Sequence, residues 1–159
     1  MSDLRDAWLT ALRRYLGFGA VANLLWEFAH VPLYTIWSEG SSREIIFAVI
    51  HCTGGDVLIT IAALTLALLL AGSDWPINPR AYRRVTALTL TFGISYTLFS
   101  EWLNIVVRKS WAYSELMPVI PLLDAGLSPV LQWIVIPLAA FWWARSPLDA
   151  SGKSNASLP

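Results

Sequence analysis

The chain has 159 residues, 56% of them hydrophobic and only 14% charged, with nine Trp. That composition excludes an ordinary soluble domain and points to a membrane protein, with the lipid bilayer as its first partner. A formal net charge of zero gives no electrostatic footprint for nucleic acid. The single cysteine, Cys52, excludes an internal disulfide.

In chain order, residues 3–14 place Leu4, Trp8, Ala11 and Leu12 on one side and Asp3, Asp6, Arg13 and Arg14 elsewhere. This predicts a short interfacial helix. Four apolar stretches then reach the roughly 20 helical residues that a hydrocarbon core requires: about 15–37, 45–71, 85–107 and 127–143. The first is interrupted by Asn23 and Glu27 and lacks a small-residue cleavage site, so it reads as a retained span rather than a signal peptide. The link from Ser38 to Glu44 is short enough to make the first two helices antiparallel neighbours. Gly72-Ser-Asp-Trp-Pro-Ile-Asn-Pro79 has turn chemistry throughout. Residues 110–126 are too apolar for a plain solvent loop and, with Pro118 and Pro121, too proline-rich for a regular helix. They are expected to cap the bundle. Residues 146–159 are rich in Ser and small residues and are expected to be disordered. The predicted fold is therefore all-α: a polytopic, antiparallel four-helix transmembrane bundle with a short N-terminal interfacial helix.

Lys and Arg near the spans number eight on the side of the N-terminus (Arg5, Arg13, Arg14, Arg80, Arg83, Arg84, Arg145, Lys153) and three on the other (Arg43, Arg108, Lys109). The positive-inside rule then puts both termini in the cytoplasm. Trp37 and Trp111 would mark the outer interface, and Trp75, Trp142 and Trp143 the inner one.

The functional signal is the set of polar residues inside these stretches, because an ionisable group in a spanning helix is costly unless it faces a protein interior or a water-filled cavity. Asn23, Glu27, His30 and Tyr34 follow at i, i+4, i+7 and i+11 and share one helix face. At 1.5 Å per residue, Glu27 and Asp56 lie at matching depths on the first two helices, as do His30 and His51. Glu101 and Asn104 near the end of the third helix, and Gln132 at the start of the fourth, reach the same outer half. On an ideal helix His51 points about 140° from Asp56, although Gly54-Gly55 between them offers a place to bend. Trp26, Trp102 and Trp133 each adjoin a polar candidate. Glu27, His30, Asp56 and Glu101 are the candidate catalytic groups, with Asn23, Tyr34, His51, Asn104, Gln132, Trp26 and Trp102 as candidates for substrate contact or support.

Three chemistries fit. Glu27-x-x-His30 has the carboxylate and imidazole spacing of metal sites in four-helix bundles, and His51, Asp56 and Glu101 would complete a divalent site for Zn or Fe. The third helix offers Glu101-x-x-Asn104 where a di-iron site would want a second Glu-x-x-His. Acid and base catalysis without metal needs carboxyls whose environments separate their proton affinities. Haem between His30 and His51 is the third. The best-supported expectation is a membrane enzyme using acid/base or metal-assisted chemistry on a lipid or isoprenoid-like molecule. The alternatives are a metal-ion or proton binding or transport protein and a non-catalytic accessory subunit. Self-association into a homo-oligomer is compatible with each.

The strings WEFAHVPLYTIW, HCTGGD, SEWLN and GLSPVLQW resemble those of small four-span bacterial membrane proteins along nearly the whole chain. The resemblance implies the fold and a bacterial inner-membrane location, and no activity. Asn23-x-x-Trp26-Glu27 is also similar to a short pattern in membrane-embedded terpene cyclases, a likeness of a few residues from which no role is carried.

Overall fold

The computed structural model describes residues 2–154, with side chains at 5–145. Four long helices dominate: α1 (Ser2–His30), α3 (Ser42–Ala71), α4 (Pro79–Glu101, extended by a π-helical stretch Trp102–Val107) and α5 (Leu127–Ser154). A one-turn helix α2 (Ile36–Glu39) and a two-stranded antiparallel pair, β1 (Val119–Ile120) with β2 (Ala125–Gly126), complete the chain. Ser42–Ala71, Pro79–Val107 and Leu127–Arg145 are long and apolar enough to cross a membrane. This is the helical architecture of a membrane protein. α1 is as long, but Arg13, Arg14, Asn23, Glu27 and His30 make it less apolar.

The boundaries have local causes. Residues 2–14 run unbroken into α1, so no separate interfacial helix forms. The expected first span to residue 37 stops instead at His30, because Pro32 lacks an N–H and disfavours helix at the residue before it; a 3₁₀ turn Val31–Leu33 follows. α3 opens on a capping box. Ser41 Oγ receives the Glu44 N–H at 3.4 Å, while Glu44 Oε2 receives the Ser41 N–H at 2.8 Å and the Ser41 O–H at 2.7 Å. It ends at Gly72, whose φ of 89° suits glycine. α4 starts at Pro79, six residues before the expected Val85, because Asn78 Oδ1 caps the N–H groups of Arg80 and Ala81 and Pro79 fits the first helical position. Of the expected tail, 146–154 continue α5 and 155–159 lie outside the described residues.

α1 packs against α3 and α5, and α4 packs against the same two. One end of this ring is a packed apolar core in which Tyr15, Leu64, Trp75, Val85 and Phe141 are almost wholly buried. The Tyr15 ring lies 4.5 Å from Phe141, and Trp75 stands edge-on to Phe141 at 5.6 Å. Trp75, expected as an interface marker, is therefore a core residue, whereas Trp142 and Trp143 are exposed. Gly93 lets α4 approach α5: a Cβ there would run into the Trp133 ring. Gly93→Ala should thus overpack the interface and cost about 1–3 kcal/mol, read as a lower melting temperature in detergent, with Gly54→Ala, where a Cβ meets nothing within 4 Å, as the neutral comparison.

Residues 110–126 fold over the other end. Thr35 N–H donates to Ala112 C=O at 2.9 Å, Ser114 N–H to Leu33 C=O at 2.9 Å, and Tyr34 pairs with Tyr113 in an antiparallel bridge. The irregular path was expected. The burial is only partial: Trp111, Tyr113 and Met117 turn inward, while Leu116, Leu122 and Leu123 stay exposed.

Candidate functional site

Below this cap lies a cavity of about 980 Å³, lined by α1, α3, α4, α5 and the connections near them. Its floor is a hydrogen-bonded set of side chains from three helices, centred on Gln132 of α5, which is 2% exposed. Gln132 Nε2 donates to Asn23 Oδ1 at 2.9 Å and to Asp56 Oδ2 at 2.9 Å, with Glu27 Oε1 at 3.3 Å. An amide nitrogen has only two hydrogens, so the two short contacts take them and Glu27 shares one. Asn23 is itself oriented by donating to Gly19 C=O at 2.9 Å. Gln132 thereby gathers the Asp56 carboxyl of α3 and the Glu27 carboxyl of α1 around one amide.

The other oxygen of Glu27 faces His30: Oε2 lies 3.1 Å from Nε2. On its far side His30 Nδ1 is 3.0 Å from Ser128 Oγ, which also receives the Trp26 Nε1–H at 3.2 Å. With Nε2 protonated toward Glu27, Nδ1 accepts from the Ser128 hydroxyl, and every polar hydrogen in this row has an acceptor. Both Glu27 and His30 are buried, at 7% and 6% exposure.

Glu101, from the last turn of α4, forms the opposite wall. Tyr113 donates to its Oε2, and Gly126 N–H donates to the Tyr113 oxygen at 2.7 Å. The Tyr34 ring stands 5.4 Å from His30 and 5.6 Å from Tyr113, linking the two walls. Burial first, and then the bond and charge of Glu101, push the Tyr113 phenol above its ordinary value, so it remains a donor across the accessible pH range. Tyr113→Phe removes a hydrogen bond to an acidic group and the acceptor for Gly126. A loss of about 1.5–3 kcal/mol is expected, appearing as faster amide exchange at 119–126.

Asn23, Glu27, His30, Tyr34, Asp56, Glu101 and Gln132 thus meet at one place. Asn104 lines the cavity but donates to its own helix, to Ser100 C=O at 2.9 Å. His51 also borders the cavity, although it is exposed and stacks on Phe47 at 5.7 Å. α3 needs no bend at Gly54-Gly55 to allow this, since the cavity is wide enough to reach both faces. Trp26 acts at one remove, through Ser128. Trp102 is 52% exposed and packs on Phe99 at 6.1 Å, so it does not touch the site.

The expected metal set is not assembled. Among the described residues no three His, Cys, Asp or Glu side chains converge to hold an ion. Glu27 and His30 are turned to each other, Glu101 to Tyr113, and His51 outward on Phe47. These residues do not fit a Zn or Fe centre, and the same outward turn of His51 leaves His30 without a haem-ligating partner.

Sequence reasoning missed Ser128 and Tyr113. Ser128 stands four residues before Gln132 on the same helix face, a signal that could have been followed. Nothing around Tyr113 marks its partner. No protein-family model matches this chain, and no curated protein or solved structure matches it either, so its role has to be inferred from the chemistry of this site.

Proposed function

We propose that this protein is a membrane enzyme that carries out acid and base chemistry on a lipid or isoprenoid-like substrate. In this reading α1, α3, α4 and α5 cross a bacterial inner membrane as an antiparallel four-span bundle with both termini cytoplasmic, and the cavity opens toward the outer leaflet. The supporting observation is that a cavity of about 980 Å³, large enough for part of an amphiphile, ends on Glu27, His30 and Asp56 held by Gln132 and Asn23.

The two carboxyls that Gln132 gathers divide the work: one gives a proton, the other accepts one, and His30 beside Glu27 returns the pair to its starting state. Glu101, fixed by Tyr113, is the third group able to meet a reacting atom. An enzyme is favoured over a carrier because the polar floor gives way to the packed core of Tyr15, Trp75 and Phe141 rather than to a second row of ionisable groups.

Mass spectrometry of lipids retained by the gently solubilised protein is the direct test. A retained lipid that disappears on blocking the cavity with a bulky substitution, Gly55→Trp, and that is converted on incubation supports the enzyme. Ion flux in proteoliposomes, with no lipid retained or converted, would replace it with the carrier.

A further inference from the structure

The mouth of the cavity is chemically different from its floor. Arg43, in the first turn of α3, and Arg108, which closes the π-helical end of α4, both line it. Among the described residues neither lies within ion-pairing distance of a carboxylate. The neighbouring Glu44 carboxylate is held by Ser41 in the capping box, and Glu39 is the remaining acidic group at the rim. Trp111, from the cap, lines the same mouth with its ring. Two cationic forks from two helices thus stand at one entrance, beside an aromatic ring of the cap.

We infer that this mouth binds the phosphate head of a long-chain amphiphile whose chain runs down the cavity toward Glu27 and Asp56. The inference rests on the reading of the cavity as a substrate site and names the class of substrate. A tetrahedral oxyanion has oxygens enough to meet two arginine forks together. It is held at the mouth, because the floor presents carboxyl groups that repel it. The length requirement follows from the helix: Arg43 and Asp56 are thirteen residues apart on α3, about 20 Å along its axis. A free phosphate would fill the mouth and leave the acid and base groups untouched. The side wall suits a chain, since Phe47 of α3 and Tyr96 of α4 line the cavity and are 68% and 50% exposed, opening it laterally where acyl chains would lie.

Cys52 is the protein's only cysteine and lies on the cavity wall between mouth and floor, so its alkylation reports occupancy without any knowledge of the reaction. The full chain is solubilised in a sugar-headgroup detergent and treated with N-ethylmaleimide. Dodecyl phosphate should slow the modification of Cys52, whereas dodecanol and inorganic phosphate should leave it unchanged. Arg43→Gln and Arg108→Gln should each raise the half-protecting concentration about tenfold, the size of one charge-assisted hydrogen bond. Arg43→Lys and Arg108→Lys, which keep the charge, should lose less, and rates without ligand should match the parent in all four. Equal protection by dodecanol, or undiminished protection by dodecyl phosphate in the Gln variants, would overturn the phosphate site. So would protection by inorganic phosphate alone, which would make the mouth a free-anion site. Protection in a chain that converts no lipid would leave the phosphate site standing and remove the enzyme; conversion of an uncharged lipid, with no protection by dodecyl phosphate, would do the reverse.

Discussion

Replacing Gln132 with Leu should destabilise this protein more than removing any other single side chain at the floor of the cavity, by about 2–5 kcal/mol. The amide is the one donor shared by three helices: it reaches Asn23 and Glu27 of α1 and Asp56 of α3 from α5. An apolar side chain of similar size fills the space and leaves two close acceptors, at 2.9 Å each, facing nothing. Each buried acceptor then costs about 1–3 kcal/mol, and the second helix contact is lost with it. The loss should appear as a lower melting temperature and as weakened protection where α1, α3 and α5 meet. A double-mutant cycle makes the test sharper. Once Gln132 is gone, the Asn23 oxygen is already unpaired, so adding Asn23→Ala should cost less than it does alone. Additivity within about 0.5 kcal/mol would mean that the two residues do not act as a unit, and the central place given to Gln132 would fall.

Much of this site was legible in the sequence, for a geometric reason. Helical rise and a short first connection convert residue number into depth, which is why the sequence puts Glu27 and Asp56 at one level and Gln132 in the same outer half. The 3.6-residue period likewise set Asn23, Glu27 and His30 on one face, and the structure keeps them there. The period fails where the helix does. Pro32 ends α1 early, so Tyr34 arrives from an extended segment that pairs with Tyr113 rather than from a helix face. The end of α4 departs in another way: Arg108 N–H bonds Leu103 C=O, five residues back, at 2.8 Å, and an ideal-helix projection does not describe such a π-helical stretch. Partners that come from an irregular loop, as Tyr113 does for Glu101, leave no periodic trace. Metal ligation was a reasonable expectation from residue types alone, but ligands need convergence as well as proximity, and orientation at that level depends on side-chain packing that spacing cannot give. Trp75 is the same lesson in the core, since a tryptophan in a turn reads as an interface anchor until Tyr15 and Phe141 are seen to enclose it.

On the proposed acid and base reading, Glu27→Gln should abolish most of the lipid turnover while sparing the fold. The amide has the shape of the carboxyl and can still meet both neighbours. Its oxygen accepts from Gln132, and its NH₂ donates to His30 Nε2, which then carries its proton on Nδ1 toward Ser128 Oγ. Stability should therefore fall only modestly, by about 1–2 kcal/mol, since the one hydrogen bond given up is that of the Ser128 hydroxyl, whose hydrogen loses the Nδ1 acceptor. Proton transfer is a different matter. Glutamine neither takes nor gives a proton at this position, and Asp56 is left with no second carboxyl to exchange one with. Turnover of the retained lipid should fall by about 10²–10⁴-fold, the usual worth of a positioned acid or base, with the amount of lipid bound left near the parent level. Trp102→Phe, on the exposed side of the π-helical stretch and away from the cavity, should move neither quantity. A Glu27→Gln protein that turns over lipid at the parent rate, with its melting temperature unchanged, would show that the carboxyl pair is a structural clamp and that the chemistry belongs to Glu101 on the opposite wall.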